Sequence, residues 1–291
     1  MPSKPKTTNQ KPFNLEMSPR ISIITINYND VEGLNRTMRS VFSQSCNMFE
    51  FIVIDGGSSD GSKDCIEKNQ NKIDYWVSEP DHGIYHAMNK GIKAATGEYL
   101  LFLNSGDELY DDSVIEKCLP HCEDKITCLS GNIAFFDGNK ERYTKDHPEK
   151  MTFSFATSRI ISHQATFIRK EAFLKYGMYN ENNKIVSDSE FFFKIIALNG
   201  ESYKSLDVKI AKFYFGGISG DVNLGLNERD DYLKRMLPYI YNNEYDTYVF
   251  NLFRESNKRV KYLRIIETNK VLKKIATFIL MVLSKFCNSE K

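Results

Sequence analysis

Five apolar residues in unbroken succession, Tyr99-Leu100-Leu101-Phe102-Leu103, leave no position for a polar face. A strand of that composition is covered on both sides, which places it in the middle of a sheet flanked by helices. ISIITI (21–26) and FEFIVID (49–55) have the same character. Helical spacing separates these runs: Leu34, Met38, Val41 and Phe42 follow the first, and Ile84, Met88, Ile92 and Ala95 precede the third. Strand, helix and strand in that order form parallel βαβ units, and several in series predict a doubly wound, mostly parallel α/β sheet. A shorter strand is expected within KIDYWVSE (72–79), closed by Pro80.

Such sheets meet their ligands at the C-terminal ends of the strands. Polar residues stand there in each unit: Asn27 to Asp30 after the first run, Asp55 and GGSSDGS after the second, Asn104 to Asp107 after the third. Asn29 or Asp30 is expected to cap the first helix, and Ser59, Asp60 or Ser62 the second. Gly97 reads as the stop of the helix before it, and Asn89 and Lys90 as residues of that helix's surface. Neither G-x-G-x-x-G nor a Walker sequence joins a strand to a helix, which argues against dinucleotide cofactors and P-loop chemistry. The 39 basic and 38 acidic residues leave no global field, so no nucleic-acid partner is expected.

Residues 1–18 lack apolar periodicity and read as a flexible arm. Six cysteines without a secretory signal predict free thiols in a reducing, cytoplasmic compartment. Cys118, His121, Cys122 and Cys128 cluster, but not at a strong zinc spacing, and read as ordinary thiols. Farther on, a strand leads into a hairpin at Asp137-Gly138-Asn139. HQATFI (163–168) reads as a strand, Gly177 as a helix end, and Ser187 or Asp188 as the cap of a helix burying Phe191, Phe192, Ile195 and Ile196.

In order and spacing, ITINYN, FIVIDGGSSDGS and DHGIYHAMNKGIKAATGEYLLFLNSGDEL resemble the nucleotide-sugar-binding half of family 2 glycosyltransferases with the GT-A fold. The likeness is close over 19–125 and looser to 220, and is nearest to bacterial exopolysaccharide, capsule and O-antigen enzymes. It implies an inverting enzyme that moves a sugar from a nucleotide-sugar donor, UDP-sugar favoured, to a saccharide or lipid-linked saccharide. Thr25, Tyr28 and Asn29 would then line the nucleotide pocket and Asp55 would hold the base, with Lys90, Asn104 and Ser105 also on the donor. The family's D-x-D signature falls on Asn104-Ser105-Gly106, so its carboxylates are missing, and Asp107 remains as the expected ligand of Mg²⁺ or Mn²⁺. The resemblance makes Asp188 the catalytic base, with Glu190 as its substitute and His163 orienting the acceptor or the base. It also brings the glycines of FYFGGISG (213–220) close to the donor. The depleted signature keeps open a rival reading, a non-catalytic nucleotide-sugar-binding or scaffold protein of the same fold. A nucleotidyltransferase is disfavoured, because the glycine-rich basic loop it needs is missing.

The domain expected over 19–220 is followed by a helical extension, 221–291. Arg254, Lys258, Arg259, Lys261, Arg264, Lys270, Lys273 and Lys274 accompany apolar residues there, and ATFILMVL is too short to span a bilayer. The expectation is a basic amphipathic helix on an anionic membrane surface, or one packed on the catalytic domain or a second subunit.

Overall fold

Strands β1 (Ile21–Asn27), β2 (Phe49–Asp55), β3 (Tyr75–Ser78) and β4 (Tyr99–Phe102) lie parallel in the order β3-β2-β1-β4. Helices α1 (Val31–Phe42), α2 (Ser62–Lys68) and α3 (Ile84–Ala94) connect them. The computed structural model describes residues 20–122, 125–152, 155–156, 161–214, 222–238 and 270–287. The expected arm, most of FYFGGISG and the basic residues from Arg254 to Arg264 lie outside these.

Both faces of the parallel half are buried. Ile21, Ile23, Phe51, Val53, Tyr99 and Leu101 point into one core with Leu34, Met38 and Val41 of α1. Ile24, Ile26, Ile52, Ile54, Leu100 and Phe102 point into the other, against Met88 and Ile92 of α3. Successive residues of a strand alternate between faces, so a strand that feeds two cores is largely apolar, its buried hydroxyls at Ser22 and Thr25 being hydrogen-bonded. Each such side chain contributes roughly 1.5–3 kcal/mol when withdrawn from water.

Beyond β4 the sheet becomes mixed. β8 (Thr166–Arg169) runs antiparallel to β4, and β6 (Cys128–Asp137) antiparallel to β8. β6 pairs in parallel with β9 (Tyr203–Tyr214) and forms a hairpin with β7 (Lys140–Lys145), while β5 (Glu108–Leu109) pairs with β9. Two reversals leave β6 and β9 pointing the same way as β4. Their C-terminal ends therefore reach the same edge of the sheet as Asn104.

Several local expectations are corrected. Gly97 does not cap α3, whose C-cap is Ala95. A Cβ on Gly97 would lie 2.6 Å from the Ser22 hydroxyl and 2.7 Å from the Ser22 nitrogen, so the residue is glycine for close approach to β1. Asn89 is buried, not on the surface, and its amide bonds Tyr179 O and Glu181. Asp30 caps α1 by accepting from Gly33 N, whereas Gly61 occupies the N-cap of α2 without a side-chain bond. Val186, not Ser187 or Asp188, is the N-cap of the helix Ser187–Phe192, which continues as a π-helical turn, Phe193–Leu198. His163–Ala165 is a 3-10 turn, and the strand expected from 163 begins at Thr166. Cys118, Cys122 and Cys128 are buried free thiols.

The chain divides into two compact units, Met1–Asp230 and Asp231–Lys291. The second contains the helix Lys270–Cys287, on which Val271, Leu272, Ile275, Phe278 and Ile279 are exposed. Among the described residues no helix is long and apolar enough to cross a membrane.

Candidate active site

The in-register pairing of β1 with β2 sets Asn27 beside Asp55 at the edge where both strands end. Asp55 is wholly buried, and its carboxylate accepts from Asn27 Nδ2 (2.8 Å), Ser58 N (3.0 Å), Ser58 Oγ (2.5 Å) and Ser78 Oγ (2.6 Å). Burial pushes this carboxyl up, and the bonds from Ser58, Ser78 and Asn27 outweigh burial, leaving it below its ordinary value. These four bonds hold the loop after β2 against the ends of β1 and β3. Asn29, in the left-handed region at φ 50°, locks the same loop by donating its N–H to Ser58 Oγ and accepting from Ser59 N. Tyr28 stands between them with 67% of its surface exposed. Thr25 has no exposed surface, and its hydroxyl donates to Leu103 O just past β4. Lys90 is paired with Glu79 at 2.8 Å.

At the end of β4, residues 104–107 form a turn gripped by Thr37 of α1. Its Oγ1 accepts from Gly106 N (3.1 Å) and lies within hydrogen-bonding distance of the carbonyl oxygens of Asp107 (2.6 Å) and Asn104 (3.2 Å). Gly106 has φ +95°. Asn104 Oδ1 and Ser105 Oγ are buried without a partner among the described residues, an uncommon state for a polar atom.

From this turn a line of contacts leads to the far half of the chain. Asn104 Nδ2 lies 3.4 Å from His163 Nε2, and His163 Nδ1 lies 2.7 Å from Asp188 Oδ2. One tautomer satisfies both contacts, with Nδ1–H donating to Asp188 and Nε2 accepting from Asn104. Asp188 Oδ1 accepts from Ser189 N (2.8 Å) and Tyr85 Oη (3.1 Å). Tyr85 also reaches Ile185 O at 2.5 Å, which ties the segment before Asp188 to α3. Glu228, on the helix Val222–Met236, accepts the N–H groups of Lys184 (2.7 Å), Ile185 (2.9 Å) and Val186 (3.2 Å). These donors precede the helix that carries Asp188. Glu190 does not join the line, because its carboxylate accepts from Asn180 and Asn183.

Asp107 was expected to hold a divalent cation, and its surroundings do not fit that role. Its carboxyl is buried beside His163 and bonded by Gln164, and burial pushes it up to about 7, against the opposing effect of His163 and Gln164. A hard cation needs charged, accessible oxygens. The neighbouring residues of the turn are an amide, a hydroxyl and a glycine, and no group of three metal-binding side chains occurs among the described residues.

Tyr85, Gln164, Thr37 and Glu228 were missed in the sequence reading as parts of this arrangement. Gln164 adjoins His163, which was the only local signal.

The sequence profile of glycosyl transferase family 2 matches residues 22–189, and the chain belongs to that family. It is 34% identical over 180 residues to an uncharacterized glycosyltransferase of Mycobacterium tuberculosis, covering 61% of this chain and 69% of that protein. Among solved structures, TarS 1–349 of S. aureus in complex with UDP-GlcNAc matches with TM-score 0.61 and 18% identity, over 77% of this chain and 67% of that one. The chain spans 65% of TarS 1–349 in the structure described without ligand. Mannosyltransferase PcManGT from Pyrobaculum calidifontis, in complex with GDP-Man and Mn²⁺, matches with TM-score 0.57 and 14% identity, over 94% of this chain and 87% of that one. The fold is therefore GT-A, and the enzyme class is glycosyltransferase.

Proposed function

We propose that the chain is an inverting transferase that passes a sugar from a nucleoside diphosphate donor, UDP favoured, to a hydroxyl of a saccharide or lipid-linked saccharide. The observation that carries this reading is the line from Asn104 through His163 to Asp188. It brings a carboxylate from the second half of the chain to the strand edge where the donor half ends. Asp188 receives the proton of the acceptor hydroxyl as that oxygen bonds to the anomeric carbon. The bond from that carbon to the diphosphate oxygen breaks on the opposite side, and the nucleoside diphosphate leaves with the electron pair. His163 and Tyr85 hold the carboxylate in position. The exposed ring of Tyr28 offers the base a stacking face, while Asp55 and Asn29 keep the adjoining loop in shape.

One observation favours a second assignment of the base. Asp188 has a side chain only 7% exposed and both oxygens engaged, while His163 is 15% exposed. In this variant His163 takes the acceptor proton and Asp188 orients the ring. We place the reaction in surface polysaccharide synthesis on the cytoplasmic side, with the basic helix Lys270–Cys287 of the extension 221–291 resting on the membrane. Its exposed apolar residues and Lys273 and Lys274 support that placement.

The test is a thermal-shift panel of UDP-, GDP- and dTDP-sugars, followed by transfer assays with wild type and Asp188→Asn in the presence of membrane extract. Donor binding with transfer that Asp188→Asn abolishes is expected. Donor binding without turnover would favour the non-catalytic alternative, and near-normal transfer by Asp188→Asn would overturn both assignments of the base.

A further inference from the structure

A nucleoside diphosphate brings negative charge to a turn whose only carboxylate is shielded, so another group must balance that charge. Gly106 stands at the last position of the D-x-D signature. A Cβ built on it would lie 3.8 Å from a guanidinium nitrogen of Arg36 and 3.7 Å from Asp30 Oδ2. The space that a carboxylate would enter at this position is thus bounded by an arginine. Asp30 caps α1 through Oδ1, and its Oδ2 would repel an anion in this space towards the Arg36 side.

Arg36 is fixed there by its neighbour Thr37, the residue that grips residues 104–107. Its guanidinium lies 5.6 Å from the centre of the Tyr214 ring, an orienting contact that leaves its N–H groups available. Tyr214 is itself held by its hydroxyl on Glu108 at 2.7 Å. Among the described residues, Lys90 is paired with Glu79 at 2.8 Å and Lys212 with Glu108 at 3.8 Å. Arg36 makes no ion pair among the described residues, and Asn104 Oδ1 and Ser105 Oγ of the adjacent turn are buried polar atoms without a partner there. A guanidinium carries a fixed charge and five donors in a plane that matches phosphate oxygens.

Building on the donor reading above, we infer that Arg36 binds the donor diphosphate and supplies the positive charge that a divalent ion supplies where D-x-D is complete. Nucleoside diphosphate binding by this chain then persists without metal.

Isothermal titration of the full chain with UDP, GDP and their nucleosides, in EDTA and in Mn²⁺, tests this on wild type, Arg36→Gln and Arg36→Lys. Wild type is expected to bind a nucleoside diphosphate in EDTA. Arg36→Gln should raise that Kd about ten-fold or more, the loss of a charge-assisted bond, with nucleoside affinity and melting temperature unchanged. Arg36→Lys should fall between. Unchanged diphosphate affinity in Arg36→Gln, an equal loss for nucleoside and diphosphate, or wild-type binding that disappears in EDTA and returns with Mn²⁺ would each overturn the inference. A wild type that binds neither UDP nor GDP in any condition defeats the donor reading itself, and this inference with it.

Discussion

His163 Nδ1 meets Asp188 Oδ2 at 2.7 Å across 25 residues of chain, joining the turn before β8 to the helix Ser187–Phe192. The contact makes the two side chains one functional unit, and their variants should not behave additively.

Asp188→Asn should lower kcat by about 10²- to 10⁴-fold, the usual contribution of a positioned general base, with donor Kd unchanged. His163→Gln separates the two assignments of the base. A loss as deep as that of Asp188→Asn makes the ring the proton acceptor, whereas a loss of about ten-fold marks it as a positioning residue. Single-turnover transfer combined with donor titration measures both.

Thr37→Val removes one hydroxyl and leaves Gly106 N and two carbonyls without their shared partner. We expect a destabilisation of about 1–3 kcal/mol from the unsatisfied groups, together with a higher KM for the donor. Urea denaturation and steady-state kinetics check the two effects separately.

Asp55 should make stability depend on acid. Its folded carboxyl lies below the ordinary 3.8, so the stabilisation is present above 3.8 and is lost as pH falls through the lower folded value. Asp55→Asn should be less stable than wild type at pH 7, and the gap should close below pH 3.8. Urea midpoints of both proteins across that range test the sign; a gap that widens in acid would refute it.

Glu228→Ala should free three backbone N–H groups ahead of Asp188. Hydrogen exchange should quicken at 184–186 by a factor corresponding to about 1–3 kcal/mol. We also expect kcat to fall while donor Kd stays constant.

Strands β1, β2 and β4 were legible in the sequence because they feed two cores and so announce themselves by largely apolar runs, while the half-buried edge strand β3 was readable as a shorter strand closed by Pro80. β9 was not, since Tyr203–Tyr214 mixes Lys204, Asp207, Lys209 and Lys212 with its apolar residues, as a half-exposed strand does. The pairing of Asp188 with His163 lay beyond any local pattern, although both residues were singled out. Asp55 shows the opposite limit: its place at a strand end was readable, but its saturation depends on Ser78, which arrives from β3. The partner of Thr25 was likewise hidden, because Leu103 O reaches its hydroxyl from the end of another strand.

Glu228 holds the segment before Asp188 as a clamp holds the end of a lever. It sits on a different helix, 40 residues downstream of Asp188 in the chain. A small rotation of that helix about its own axis would swing the carboxylate away from the three amides and loosen the segment that leads into Asp188. If Asp188 is the base proposed above, such a geometry would let the rate of transfer be tuned apart from donor affinity, by substitutions around Glu228.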